Sequence, residues 1–212
     1  MIRVPNANAS FLISLKRVPN AASCVSRSVR TSGGSISVGD LAGAIRARTS
    51  GGSLTLGRIG GAVDGETSGG NVSLTAGGGE VHLRTSGGSI FVGHAAGPTE
   101  LRTSGGSIKI ESAENSLQAF TSGGSVRAGL SGPIKGDCEL RTSGGSVRIT
   151  VNRTAGFDLD AATSGGNVEA PGLTITIARG GLRRSELAGS VNGGGPALTL
   201  RSSGGNIEIQ PI

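Results

Sequence analysis

Apolar residues recur along this chain in short bursts of period two, and one polar tetrad separates the bursts. Ile36 and Val38 follow Thr31-Ser32-Gly33-Gly34. The same order returns at Thr49, Thr67, Thr85, Thr103, Thr121, Thr142 and Thr163, and Ser202 opens a last copy. Counting each Thr as position one, position six reads Ile36, Leu54, Val72, Ile90, Ile108, Val126, Val147, Val168 and Ile207, and position eight repeats the aliphatic choice. Small polar or charged residues lie between, so each segment is predicted to be a strand with one buried face. A second strand is predicted before each Thr, through pairs such as Ile45 and Ala47, Val81 and Leu83, or Cys138 and Leu140, and counting by twos makes the Thr itself inward-facing.

The first five intervals between copies are eighteen residues, the next two are twenty-one, and the last, thirty-nine, fits one coil of each length. A fixed period of this kind predicts coils that bury their apolar faces only by stacking. We therefore expect an all-β chain forming a single parallel β-solenoid, a right-handed β-helix of nine to ten coils with an 18–21-residue period. The pattern itself fixes neither hand nor cross-section. At about 4.8 Å per coil the rod would be on the order of 45 Å long. The corner is assigned to Gly33, Gly34, Gly51, Gly52, Gly69, Gly70, Gly87, Gly88, Gly105, Gly106, Gly123, Gly124, Gly144, Gly145, Gly165, Gly166, Gly204 and Gly205. A chain turning directly above the same turn needs backbone conformations open to glycine and little room for a Cβ. The Thr column beside it is placed to hydrogen-bond from coil to coil.

Composition changes this picture little. Forty glycines and no Trp or Tyr would suit a disordered chain, but Leu, Ile, Val and Phe supply fifty of 212 residues, and they are periodic. The net charge of +6 is located mostly in residues 1–30, where Arg3, Lys16, Arg17, Arg27 and Arg30 face no acid. The repeat region is nearly neutral and offers no aromatic platform, which disfavours nucleic acid as a partner. The chain is divided into residues 1–30, an irregular basic leader or N-terminal cap, and residues 31–212, the repeat domain. The apolar run Phe11–Leu15 is too short to span a membrane, and with Lys16-Arg17 after it the run makes no convincing signal peptide.

The repeated T-S-G-G-[SN]-[IVL]-x-[VIL], closed by V-N-G-G-G-P-x-L-x-L-R-S-S-G-G-N-I-x-I, resembles a bacterial family catalogued under an adhesin label, a β-solenoid domain of unknown function. The resemblance covers about residues 28–210. It implies a parallel β-helix-like fold and a cell-envelope or extracellular setting, and it carries no catalytic residues to transfer. Relatives usually begin with a secretion signal or a membrane-linked segment, and this N-terminus shows neither.

Candidate chemistry is sparse. Position sixteen, facing outward, carries Arg46, Asp64, His82, Glu100, Gln118, Glu139, Asp160 and Thr199. Glu139 and Asp160 are expected on adjacent coils, where paired carboxylates could divide acid and base roles on a polysaccharide; the reading favoured for them is a charged surface ladder. Position eighteen carries Arg30, Arg48, Arg84, Arg102, Arg141 and Arg201, read as stems covering the sheet and neutralised by the acids of position sixteen, with an anion-binding stripe as the functional alternative. His82 and His94 occupy different coil positions, so neither a metal nor any other cofactor is expected. Cys138 is read as a small core residue. Longer turns after Thr121 gather Lys135, Arg153, Phe157, Arg179, Arg183 and Arg184, the candidate ligand or partner patch. Pro211 is expected to blunt the C-terminal strand edge. The leading expectation is a non-enzymatic structural or adhesive module whose partners are an envelope polymer, a glycan or a surface protein. The alternatives are a filament subunit that self-associates through its solenoid ends and, more remotely, a β-helix enzyme acting on polysaccharide.

Overall fold

In this computed structural model, which describes residues 2–3, 11–13, 26–177 and 184–212, the apolar bursts form strands. Two short strands come first, β1 (Ile2–Arg3) and β2 (Phe11–Ile13). Seven turns of two strands each follow. They comprise β3 (Arg27–Arg30), β4 (Ile36–Val38), β5 (Ile45–Arg48), β6 (Leu54–Ile59), β7 (Val63–Thr67), β8 (Val72–Gly77), β9 (Val81–Thr85), β10 (Ile90–Ala95), β11 (Thr99–Arg102), β12 (Ile108–Ala113), β13 (Leu117–Thr121), β14 (Val126–Leu130), β15 (Cys138–Thr142) and β16 (Val147–Val151). The chain ends with β17 (Phe157–Thr163), β18 (Val168–Glu169), β19 (Ile175–Thr176), β20 (Glu186–Val191), β21 (Ala197–Ser202) and β22 (Ile207–Pro211).

Strands preceding the tetrads pair in parallel as one sheet, here the first sheet, and strands following them pair as the second. Their buried faces meet in a single core, with Leu54, Leu83, Leu101, Leu117, Leu140 and Ile149 all at 1% exposure or less. The expected all-β parallel β-solenoid is therefore present, with a flat, two-sheeted cross-section. About seven turns stack in chain order instead of nine to ten.

The remaining coils stack out of order. In the first sheet the order runs β13-β15-β21-β17-β20-β19, and in the second β14-β16-β22-β18. The C-terminal coil thus lies between the seventh turn and the β17–β18 coil that precedes it in the chain. Leu198 pairs with Cys138 on one side and Leu159 on the other. The connection that permits this is Asn192–Pro196, which carries the chain from β20, on the outer side of β17, across to β21 on its inner side. Asn192 takes a left-handed φ of 50° and donates its side-chain amide to the carbonyls of Arg153 and Ala155. A Cβ on Gly195 would lie 2.7 Å from the carbonyl oxygen of Gly156, so the crossing needs glycine for close approach. The far end of the stack is closed by β20 and β19, both antiparallel to their neighbours. Pro211 accordingly does not blunt an end: it pairs with Val151 inside the stack.

From Thr49 onward the corner Thr, or Ser202 in the last copy, is buried, as its period demands, and its hydroxyl ties two layers together. Thr103 Oγ1 donates to the Gly88 carbonyl at 2.7 Å and accepts the Gly106 N–H at 3.4 Å. The same pair of bonds recurs at Thr49, Thr67, Thr85, Thr121 and Thr142, and Ser202 substitutes for Thr in the last copy. The expected left-handed or otherwise special backbone is absent from these glycines: among the described glycines only Gly172, Gly193, Gly194 and Gly195 have positive φ. What the corner requires is space, because each backbone lies directly against the one below.

A third inward column, at position eleven, escaped the alternation. In β6, β8, β10 and β12 two outward residues follow position eight before the chain turns inward again at Ile59, Gly77, Ala95 and Ala113. From β14 onward the extra residue disappears, the register shifts between Ile110 and Ala113, and Leu130 and Val151 fill the column by strict alternation. Residues 131–137 then lengthen the following turn, so the change from eighteen to twenty-one residues is a bulge lost and a loop gained.

Candidate functional site

The outward face of the first sheet is a lattice of ion pairs. Arg46 and Arg48 both reach Asp64, at 2.6 and 3.7 Å, and Arg48 also reaches Glu66. Glu100 lies between Arg84, at 2.9 Å, and Arg102, while His82 stands between Glu80 and Glu100 at 2.9 and 3.2 Å. Arg141 pairs with Glu139, and Arg201 forks onto Asp160. Burial pulls the Glu100 carboxyl upward, but hydrogen bonds and positive charge from Arg102 and Arg84 outweigh it and hold the group below its ordinary range. Hydrogen bonding to Asp160 moves the Arg201 guanidinium upward against its partial burial. The position-sixteen acids therefore neutralise the position-eighteen arginines, as the structural reading of these columns expects. Along their edge runs a groove of about 850 Å³ bordered by Arg84, Arg102, Phe120, Arg141 and Arg201 with the Thr and Ser columns, and Arg102 lies over the Phe120 ring at 4.9 Å.

Two expected groupings are not brought together. Glu139 and Asp160 are not on adjacent coils: each pairs in register with Thr199, because β21 separates β15 from β17. They are two strand spacings apart, roughly 10 Å, and each is closed onto its own arginine. The loop-side patch is also dispersed. Phe157 is fully buried in the core, so it offers no surface. Lys135 and Arg153 are exposed on loops at the edge opposite the Thr corners. The backbone carbonyl of Arg184 accepts the Val168 N–H and that of Ser185 the Thr163 N–H, which places that segment at the Thr-corner edge. Arg179, Arg183 and Cys24 lie outside the described residues. Segment 170–177 with β20 serves mainly to cover the end of the stack.

Cys138 is an unpaired thiol in the core, 1% exposed. Burial, aided by the Asp137 charge, pushes it up to about 11, so it is a packing residue and a poor nucleophile. His94, on β10 and not in a turn, sits 3.4 Å from Glu114, apart from His82. Among the described residues no helix is long and apolar enough to cross a membrane.

The second sheet presents a further outward column. Position seven runs Ser37, Thr55, Ser73, Phe91, Lys109, Arg127, Arg148, Glu208 and Glu169 in stacking order. A groove of about 380 Å³ lies over its basic stretch. Its signal in the sequence is position seven itself, which changes from small polar residues to Phe91, Lys109, Arg127 and Arg148 midway along the repeats.

Comparison with curated proteins returns no significant match, and comparison with solved structures returns none either. The profile described as Toastrack DUF4097 matches residues 6–210, nearly the whole stack with its out-of-order C-terminal coil, and the chain belongs to this family of β-solenoid repeat domains of unknown function.

Proposed function

We propose that this chain is a non-enzymatic structural and adhesive module of the bacterial cell envelope, a rigid two-faced rod whose flat sheets are its binding surfaces. The observation that carries the reading is the in-register ladder itself. Outward side chains at one coil position form straight columns in which successive residues are about 4.8 Å apart, so either face suits a repetitive partner better than a single small molecule. The acids that could have served catalysis are engaged: Glu100, Glu139 and Asp160 each hold an arginine. Such exposed pairs contribute little to stability individually, and in sum they keep a glycine-rich rod soluble. Partners of the expected kinds are an envelope polymer, a glycan or a surface protein. Filament growth through the ends is the competing reading, and the antiparallel strands β20 and β19 count against it at the C-terminal end.

The test joins light scattering with sedimentation. The purified chain is expected to stay monomeric as its concentration rises and to co-sediment with isolated bacterial envelopes in a salt-sensitive manner. Concentration-dependent growth into rods would transfer the function to assembly. Turnover on a glycan panel that Glu139→Gln or Asp160→Asn abolishes would make the chain an enzyme.

A further inference from the structure

We propose that the second sheet carries a binding site for an acidic polysaccharide, centred on Arg127 between Lys109 and Arg148. The proposal deepens the reading of the chain as an envelope-binding module and rests on it.

Three cations stand in direct register on successive layers, Lys109 beside Arg127 and Arg127 beside Arg148. Like charges directly opposite each other on neighbouring strands are destabilising, and on the first sheet the same situation is relieved by acids. Here the flanking residues find acids to the side, Lys109 with Glu111 at 3.1 Å and Arg148 with Glu208 at 2.6 Å. Arg127, exposed between them, has no carboxylate within ion-pairing distance among the described residues. The repulsion is thus retained at the one layer where an external anion would relieve it from both sides.

The hydroxyls beside this row point to the same class of ligand. Ser107 Oγ accepts the Ser125 N–H at 3.1 Å, Ser125 Oγ accepts the Ser146 N–H at 3.2 Å, and Ser146 Oγ accepts the Asn206 N–H at 3.2 Å. With its acceptor side engaged by backbone, each hydroxyl keeps its own hydrogen for a ligand. Lys109, Arg127 and Arg148 with these three serines supply the side-chain donors of the groove, and Glu208 stands at one end. Donors recurring about 4.8 Å apart form a straight row along which an extended anionic sugar chain can lie, its hydroxyls meeting the serines and a carboxylate meeting Arg127. Arg127 can fork onto a carboxylate, while Arg148, held by Glu208 through Nε and Nη2, adds positive charge beside it. At the other end of the row Phe91, half-buried, already holds Lys109 over its ring at 5.5 Å and offers a face on which a sugar ring can stack.

Polygalacturonate is the probe, with dextran as the neutral control and inorganic polyphosphate as the non-sugar polyanion, each titrated calorimetrically against the full chain at low and high salt. Wild type is expected to bind polygalacturonate and not dextran. The double variant Arg127→Gln with Arg148→Gln should bind at least about tenfold more weakly, and Arg127→Gln alone should melt no earlier than wild type, because it removes repulsion without breaking the Arg148–Glu208 pair. Arg84→Gln, on the first sheet, should leave the affinity unchanged. Equal weakening by Arg84→Gln, or none by the double variant, overturns the site. Polyphosphate binding as tight as polygalacturonate, with both insensitive to Phe91→Ala, overturns the choice of a glycan. A chain that sediments with envelopes but ignores polygalacturonate overturns this proposal alone, whereas one that binds neither overturns the envelope reading as well.

Discussion

A Cβ built on Gly106 would lie 2.1 Å from the carbonyl oxygen of Gly88, whereas one on Gly105 would lie 3.2 Å from that of Gly87. The two corner glycines are therefore not equivalent. The first tolerates a methyl if its neighbour gives by a few tenths of an ångström, and alanine there also lowers the entropy of the unfolded chain. The second faces rigid backbone that has nowhere to move. Gly106→Ala is expected to cost at least about 3 kcal/mol and Gly105→Ala to stay within about 1 kcal/mol of wild type, as read from thermal melts. Comparable losses at both would mean that the corner demands conformation and not room. The Thr beside them was readable as inward from its spacing. That its hydroxyl bonds a glycine carbonyl of the next layer, and not another Thr, depends on where that layer's corner lies.

Among strands, the C-terminal coil is the element most in need of a test. Placed between β15 and β17, it puts Thr199 one strand spacing from Glu139 and leaves Asp160 two spacings away. A disulfide requires Cα atoms about 4.4–6.8 Å apart. With Cys24 and Cys138 replaced, the pair Glu139→Cys with Thr199→Cys is expected to cross-link on mild oxidation, and the pair Glu139→Cys with Asp160→Cys is not. The reverse result would restore chain-order stacking. Nothing in the local pattern announced the insertion. A gap of thirty-nine residues is satisfied equally by a coil in sequence and by a coil threaded back, because every coil offers the same inward columns at positions six and eight. The one signal was Asn192-Gly193-Gly194-Gly195-Pro196, a glycine run outside the tetrad, whose purpose becomes visible only when it is seen crossing Gly156.

Over the whole molecule each turn touches only its two neighbours, so stability is a sum of layers and interfaces and need not be uniform. The layers from β7 to β16 have partners on both sides throughout. Their amides are expected to exchange slowest, with β3–β4 and β19–β20 exchanging earliest, in hydrogen-exchange mass spectrometry. Uniform protection along the rod would show instead that it unfolds as one unit. The two faces differ for a reason that lies at this scale as well. Lys109, Arg127 and Arg148 are separated by eighteen and twenty-one residues, and only the stacking makes them a row, while on the first sheet the charges of Arg84 and Arg201 are offset only once Glu100 and Asp160 stack beside them.

The sequence by itself determined the strand period, the two buried aliphatic columns, the inward Thr and the parallel stacking, because each follows from side-chain alternation and a fixed repeat, which are local properties of the chain. The tertiary structure alone decided the order of the last coils, the burial of Phe157, the scattering of the loop-side cations and the unequal roles of the paired glycines. All of these depend on which backbone lies against which, and a repeat whose edges are interchangeable leaves that choice to the packing of the whole stack.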